Sequence, residues 1–235
     1  MAGCTAAFFA VRARAWRDTG RIAVARVDDF KEALRLASEQ LRQCNLHRQA
    51  KLAGAEIRLD PDDAVVITFA LLGREVAVRI GVQVTIEETG SQEEISLPNK
   101  VLICHYLLTA DGAPPTGELI TYRQVPDGHF YFDAFQRRAR DPFLKGFGAQ
   151  PELFRACAEK LGGVPVENGD LGMRFQVLPR VPIQIILWFG DDEFPPEASL
   201  LFDANVSGYL PAEDIAFVSG NLVYALMGIA RNLGR

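Results

Sequence analysis

Cysteine is scarce in this sequence, and the few cysteines lie far apart. The 235 residues include four, no two of which form a Cys-x-x-Cys pair: Cys4, Cys44, Cys104 and Cys157. Disulfide scaffolds and zinc or iron–sulfur sites need clustered thiolates, so this spacing supports none of them. A reducing compartment fits best and we expect a cytoplasmic protein, whereas the identity of any cofactor stays open.

An excess of positive charge and long apolar runs are also absent. The net charge is -5, whereas proteins that bind nucleic acid by neutralising phosphates usually carry a basic surface. No apolar run reaches the roughly 18 residues needed to span a bilayer. We therefore expect neither nucleic acid nor a membrane as a partner.

Residues 1–26 precede the first periodic pattern in the chain. Met1–Val11 is small and apolar, but no basic residue stands before it, and Arg12, Arg14 and Arg17 follow it directly. A secretory signal has the opposite layout. We expect an N-terminal extension over residues 1–26 and a single α+β domain over residues 27–235.

The chain otherwise has the composition of an ordinary globular protein. Hydrophobic residues make up 49% and charged residues 23% of it, which allows a core of normal size. The segment from Asp28 to Arg48 has apolar residues at helical spacing and predicts a helix. Glu56 to Glu88 contains three apolar runs separated by turn signals, which predicts a β-meander.

The remainder of the chain alternates between predicted helices and strands. Helices begin at Pro98 and Pro211, because proline suits the first helical position. Between them we expect a strand at Glu118–Val125, helices at Phe130–Arg140 and Pro151–Leu161, and strands at Phe175–Leu178, Ile183–Phe189 and Ser199–Phe202. The sequence therefore predicts an α+β fold, with a mainly antiparallel sheet (N-terminal meander plus C-terminal strands) packed with several helices.

The densest charge feature follows one of these predicted strands. Asp191, Asp192 and Glu193 come directly after an apolar run, and Asp203 lies just past the next strand. Carboxylates gathered at strand ends can bind Mg²⁺ or Ca²⁺ or supply an acid and a base. The alternative is a solvated acidic turn, because Asp, Gly and Pro are ordinary turn residues.

Histidine is rare, and His105 lies on the predicted helix that begins at Pro98. Its neighbour Cys104 points about 100° away around the helix, so the two form neither a chelate nor a nucleophile–base pair. A half-buried, hydrogen-bonded histidine is the alternative to a ligand-binding one.

Arginines and aromatic residues are concentrated in the middle of the chain. Arg137, Arg138 and Arg140 lie among seven aromatic residues, Tyr122, Phe130, Tyr131, Phe132, Phe135, Phe143 and Phe147. Such a set can line a pocket for a flat anionic ligand, and core packing is the alternative. The fragment Lys145-Gly146-Phe147-Gly148 lacks the remaining residues of a phosphate loop, and we interpret it as an ordinary loop.

Several segments, taken in order, resemble an uncharacterised family, number 3786 among the domains of unknown function. They are Leu102–Leu108, Gly117–Arg123, Phe147-Gly148, Val177–Pro182, Leu187–Pro195, Leu201–Asp203 and Tyr209–Ile215, within residues 28–230. The resemblance implies that this chain is a member of that family, which is found in anaerobic bacteria and archaea. Some members of the family carry an adjacent iron–sulfur-type segment. This chain lacks that cysteine-rich segment, so no cluster is carried over.

The resemblance supplies no catalytic residues, but it directs attention to particular positions. These are His105, Arg123, Trp188, Asp191, Glu193, Asp203, Glu213 and Asp214. Together with the residue analysis they give the ligand-binding candidates His105, Arg123, Arg138 and Trp188, and the metal candidates Asp191, Asp192, Glu193 and Asp203.

Three functions remain open at this level. The leading hypothesis is a binding or accessory domain in anaerobic redox or one-carbon metabolism, which holds a small anionic ligand, a cofactor or a partner such as an iron–sulfur protein. The second is a metal-dependent enzyme built on the four carboxylates, with His105 as base. The third is a structural subunit of a complex.

Overall fold

The computed structural model describes residues 27–233, so the expected N-terminal extension lies outside the described residues. The predicted first helix is two helices, α1 (Val27–Gln43) and α2 (Leu46–Ala53). The break follows from Asn45, whose side chain accepts a hydrogen bond from the Arg48 backbone N–H at 3.0 Å. Because Asn is among the preferred N-cap residues, it begins a new helix rather than extending the old one.

The predicted meander is a four-stranded antiparallel sheet. Its strands pair in chain order and are β1 (Glu56–Leu59), β2 (Val65–Leu71), β3 (Arg74–Ile80) and β4 (Val84–Glu88). The third apolar run of the sequence is thus two strands, since the chain reverses at Gly81–Gln83. One face carries the buried residues Val76, Val78 and Ile80, as alternation in a half-buried strand requires.

A second, five-stranded antiparallel sheet forms the C-terminal half. The spatial order β5-β9-β8-β7-β6 joins β5 (Leu119–Thr121), β6 (Val164–Val166), β7 (Leu171–Leu178), β8 (Val181–Trp188) and β9 (Glu197–Asp203). Strand β8 is central, as its almost uninterrupted apolar sequence predicts. The predicted α+β fold with antiparallel sheets is therefore confirmed.

Two helices pass through the core beside the sheets. Helix α3 (Leu97–Thr109) is buried from Val101 to Leu107 on all sides, which marks a helix enclosed by other layers. The last helix of the chain, α7 (Ala212–Leu233), is long and apolar enough to cross a membrane by length and composition. Polar and charged residues interrupt it, so no continuous apolar run of 18 residues exists, and 56% of its most apolar window is buried inside the protein, as in a core helix.

The arginine-rich middle of the chain is helical. It contains α4 (Gly128–Phe135), a π-helical turn at Gln136–Arg140, α5 (Asp141–Phe147) and α6 (Pro151–Lys160). The interpretation of Lys145–Gly148 as a loop is wrong, because the segment completes α5. Packing explains why, since Phe143 and Phe147 point inward against Phe154 of α6, with ring centroids 4.8 and 5.8 Å from it.

Candidate functional site

A histidine–carboxylate pair joins the two core helices. Nδ1 of His105 in α3 lies 2.5 Å from Oδ2 of Asp214 in the first turn of α7. Their side chains are only 7% and 8% exposed. Since a carboxylate only accepts hydrogen bonds, Nδ1 is the donor, and this fixes the tautomer and the orientation of the imidazole. An imidazole oriented in this way is a feature of general bases and metal ligands, and also of buried structural links.

Further polar contacts surround this pair. The Tyr122 hydroxyl donates to the Ala212 carbonyl at 2.7 Å in the same first turn of α7. Burial raises the pKa of Tyr122, the negative charges of Glu213 and Asp214 add to the rise, and Arg138 opposes it. Tyr122, Arg138, Glu213 and Asp214 therefore share one electrostatic neighbourhood, which contains two of the ligand-binding candidates, His105 and Arg138.

Cys104 takes no part in this chemistry. Its side chain is fully buried, and burial raises the pKa of its thiol to about 12. The thiolate is the nucleophilic form of cysteine, so the thiol is inert at neutral pH. This agrees with the sequence-based argument against a Cys104–His105 nucleophile.

Asp203 is a buried anchor at the end of β9. Its carboxylate accepts hydrogen bonds from the backbone N–H groups of Thr116, Gly117 and Asn205 at 2.9–3.1 Å, and from the Thr116 hydroxyl at 2.9 Å. Desolvation by burial acts to raise its pKa, but these hydrogen bonds outweigh it, and the pKa lies below its ordinary value. The side chain fixes the loop before β5 against the sheet.

The other three metal candidates lie in the turn between β8 and β9, which we call the acidic hairpin (Phe189–Pro196). Oδ1 of Asp191 accepts hydrogen bonds from the backbone N–H groups of Glu193 and Phe194 at 2.8 and 2.7 Å. These bonds lower the pKa of Asp191. Asp191 therefore closes its own turn, as the solvated-turn alternative predicts.

The structure does not bring Asp203 to these three carboxylates. Strand β9 runs from Glu197 at the hairpin to Asp203 at its far end, a length of about 20 Å at roughly 3.3 Å per residue. Among residues 27–233, no three His, Cys, Asp or Glu side chains form a group that could hold a metal ion. The metal-enzyme hypothesis thus has no common site within this part of the chain.

Large aromatic side chains are exposed around the acidic hairpin. Trp188, Phe189 and Phe194 are 41%, 46% and 67% exposed. Phe189 and Phe194 line a cleft of about 540 Å³ formed by the hairpin and the segment Gly148–Pro151, and Trp188 is the last residue of β8 directly before the hairpin. The charged residues lining this cleft are all carboxylates, Asp191, Asp192 and Glu193. Trp188 is a candidate from the sequence, whereas the two phenylalanines are not. Apolar residues inside a turn are the signal that could have indicated them.

The remaining arginine candidates lie on the helical middle segment. The guanidinium of Arg123 lies 3.8 Å above the ring of Phe132, a cation–π contact on the protein surface. Arg138 is half-buried in the π-helical turn. Four of the seven aromatic residues, Tyr122, Phe135, Phe143 and Phe147, are buried in the core, so core packing accounts for most of this aromatic cluster.

The sequence of the chain matches one protein family. The sequence profile of the family described as "Domain of unknown function (DUF3786)" matches residues 47–225. This range contains α3, both sheets and most of α7, and therefore His105, Asp203, Asp214 and the acidic hairpin. No curated protein and no solved structure matches the chain.

Proposed function

The chain belongs to the DUF3786 family, a domain of unknown function, and from that premise we propose that it is a binding or accessory domain that docks a partner protein on the acidic hairpin. The partner class that the family resemblance implies, an iron–sulfur protein of anaerobic redox or one-carbon metabolism in the cytoplasm, is part of this proposal.

The exposed aromatic side chains of the hairpin carry the proposal. Trp188, Phe189 and Phe194 leave 41–67% of their surface in water, although burial of such side chains is strongly favourable. Trp is enriched among the residues that dominate binding energy, and aromatic residues in general are enriched at interfaces. Three exposed aromatic residues within seven positions around one turn are therefore the feature expected of a docking surface rather than of a solvated turn.

The charge of the hairpin selects among the occupants considered from the sequence. The carboxylates of Asp191, Asp192 and Glu193 beside the cleft repel an anion and attract a basic surface. A small anionic ligand is therefore disfavoured at this site. A partner that presents Lys or Arg around an apolar contact would satisfy both the aromatic rings and the carboxylates.

Site-specific photo-crosslinking in the native host tests the proposal. A photoreactive phenylalanine analogue is placed at Phe194, at Trp188, and at Val82 as the control. Val82 is 87% exposed and lies in the turn between β3 and β4, on the other sheet. We expect the same crosslinked chain from Phe194 and from Trp188, and not from Val82.

The crosslinked chain is then purified and titrated with the wild type and with Phe194→Ser. We expect Phe194→Ser to keep the unfolding midpoint of the wild type, since the residue is mostly exposed, and to weaken binding at least tenfold. The same crosslinks from all three positions, or unchanged affinity in Phe194→Ser, would overturn the proposal.

A further inference from the structure

A groove on another part of the protein lies between the first sheet and the second half of α7. Its volume is about 500 Å³, within the range of small-molecule sites. The lining includes the β2–β3 turn, β3, β4, the loop before α3, and one face of α7. None of the hairpin residues contributes to it, so this groove is independent of the proposed docking surface.

Two half-buried asparagines lie side by side in this groove. Nδ2 of Asn221 in α7 donates to Oδ1 of Asn99 in α3 at 2.7 Å. Exchanging the amide N and O atoms of both side chains would give the same pattern, because one amide must donate and the other accept. In either arrangement the pair has one amino group and one carbonyl group left for further hydrogen bonds, so it offers a neighbouring donor and acceptor.

Beyond the amides, the lining is polar and apolar in similar measure, with one exposed aromatic ring. Leu71 and Val76 contribute buried aliphatic surface, and Tyr224 is 53% exposed. Gly228 of α7 also lines the groove, and a Cβ added there would meet no atom within 4 Å. Glycine inside a helix costs about 1 kcal/mol relative to alanine, and here it keeps the wall of the groove open.

The charges at the rim act against anionic ligands. The guanidinium of Arg74 lies 3.4 Å from the carboxylate of Glu88, so the one basic side chain among the described residues of the lining already faces a carboxylate. Glu93 and Glu94 lie on the loop at the other side of the groove, where Lys100 pairs with Glu94 at 2.6 Å. The lining as a whole has more negative than positive side chains, which favours an uncharged ligand.

We infer that this groove binds a flat, uncharged ligand with a hydrogen-bond acceptor next to a donor, the pattern of a lactam edge as in nucleobases. The carboxamides of Asn99 and Asn221 would pair with that edge. The Tyr224 ring and the aliphatic wall would contact its faces, since aromatic stacking suits any flat π-system.

Ligand-observed NMR tests this inference with defined probes. Uracil and hypoxanthine are the neutral lactams, and orotate is the charged control of similar shape. We expect saturation transfer from the wild type to both lactams at millimolar concentration, and at least tenfold weaker binding of orotate. No transfer to either lactam, or tighter binding of orotate, would overturn the inference.

Two substitutions at one position then locate the site. Gly228→Ala adds only a Cβ, so it should keep lactam binding and raise the unfolding temperature. Gly228→Leu fills the groove and should reduce lactam affinity at least tenfold. If Gly228→Leu does not fold, Asn221→Leu supplies the same test by removing the donor–acceptor pair. Lactam binding that survives Gly228→Leu, or Asn221→Leu in its place, would put the ligand elsewhere and contradict the inference.

Discussion

The candidate carboxylates of this protein form two groups, the buried Asp203 and Asp214 and the exposed residues of the acidic hairpin, which look alike in sequence and differ in structure. Asp203 and Asp214 are 5% and 6% exposed, and their oxygens bind groups from distant parts of the chain. Asp191 is exposed to solvent and accepts hydrogen bonds from the backbone of its own turn. The buried carboxylates join helices and loops that are distant in sequence, whereas the exposed ones lie beside aromatic side chains that remain accessible.

The difference shows where a site for a partner can exist in this fold. A carboxylate that already accepts several internal hydrogen bonds has little capacity left for a ligand. The hairpin carboxylates keep most of their capacity to accept hydrogen bonds, and exposed aromatic rings lie beside them. Interior residues can therefore be changed to measure stability, and hairpin residues to measure binding.

The largest effect is expected from breaking the His105–Asp214 pair. Asp214→Ala leaves a buried imidazole without its acceptor, and we expect a loss of about 4 kcal/mol in the free energy of unfolding. Glu152→Ala, in the first turn of α6, removes an exposed carboxylate that favours the helix dipole and lies 3.7 Å from Arg155, and should cost less than about 1 kcal/mol. Urea denaturation of both variants measures the difference.

A double substitution separates the pair from its surroundings. His105→Phe with Asp214→Leu replaces two polar groups by apolar ones, and it should recover much of the stability that Asp214→Ala loses. Equal costs for Asp214→Ala and Glu152→Ala, or no recovery in the double variant, would show that the pair is not a stabilising unit.

The second effect contrasts Asp203 with Asp191. Asp203→Ala leaves the N–H groups of Thr116, Gly117 and Asn205 without their acceptor. We expect a cost of about 3 kcal/mol in the free energy of unfolding. A hydrogen bond to a charged group contributes about 1.5–3 kcal/mol, and the contributions here do not simply add because they share one acceptor. Asp191→Ala should cost less than about 1 kcal/mol, because water can replace the carboxylate at the exposed N–H groups of Glu193 and Phe194. A comparable shift from both substitutions would remove the distinction between the two groups.

Much of the fold could be predicted because local patterns agree with it. In α1 the residues Ala33, Ala37 and Leu41 recur at helical spacing and are buried, and the meander alternates as a half-buried sheet does. Strand β6 was missed because its three residues, Val-Pro-Val, are too few for periodicity and contain a proline, which argues against a strand.

The site could be predicted only in part, because burial depends on non-local packing. Asp203 and Asp191 each follow an apolar strand, and nothing in the neighbouring sequence says that residues 112–117 fold over one of them. Asp214 is 109 residues from His105, and a carboxylate in the first turn of a helix has a sufficient local reason in the helix dipole. Pairing across such distances is set by the tertiary fold.

The smallest effect is a pH dependence that sharpens the contrast between the two groups. The pKa of Asp203 is lower in the folded protein than in the unfolded chain, so its ionised form stabilises the fold. That contribution is complete above the unfolded pKa of about 3.9 and disappears as the pH falls through the folded value. The free-energy difference between the wild type and Asp203→Asn should therefore be largest at neutral pH and shrink below about pH 4. Carboxylates common to both proteins cancel in this difference, so a constant value from neutral to acid pH would show that the Asp203 charge does not hold the loop.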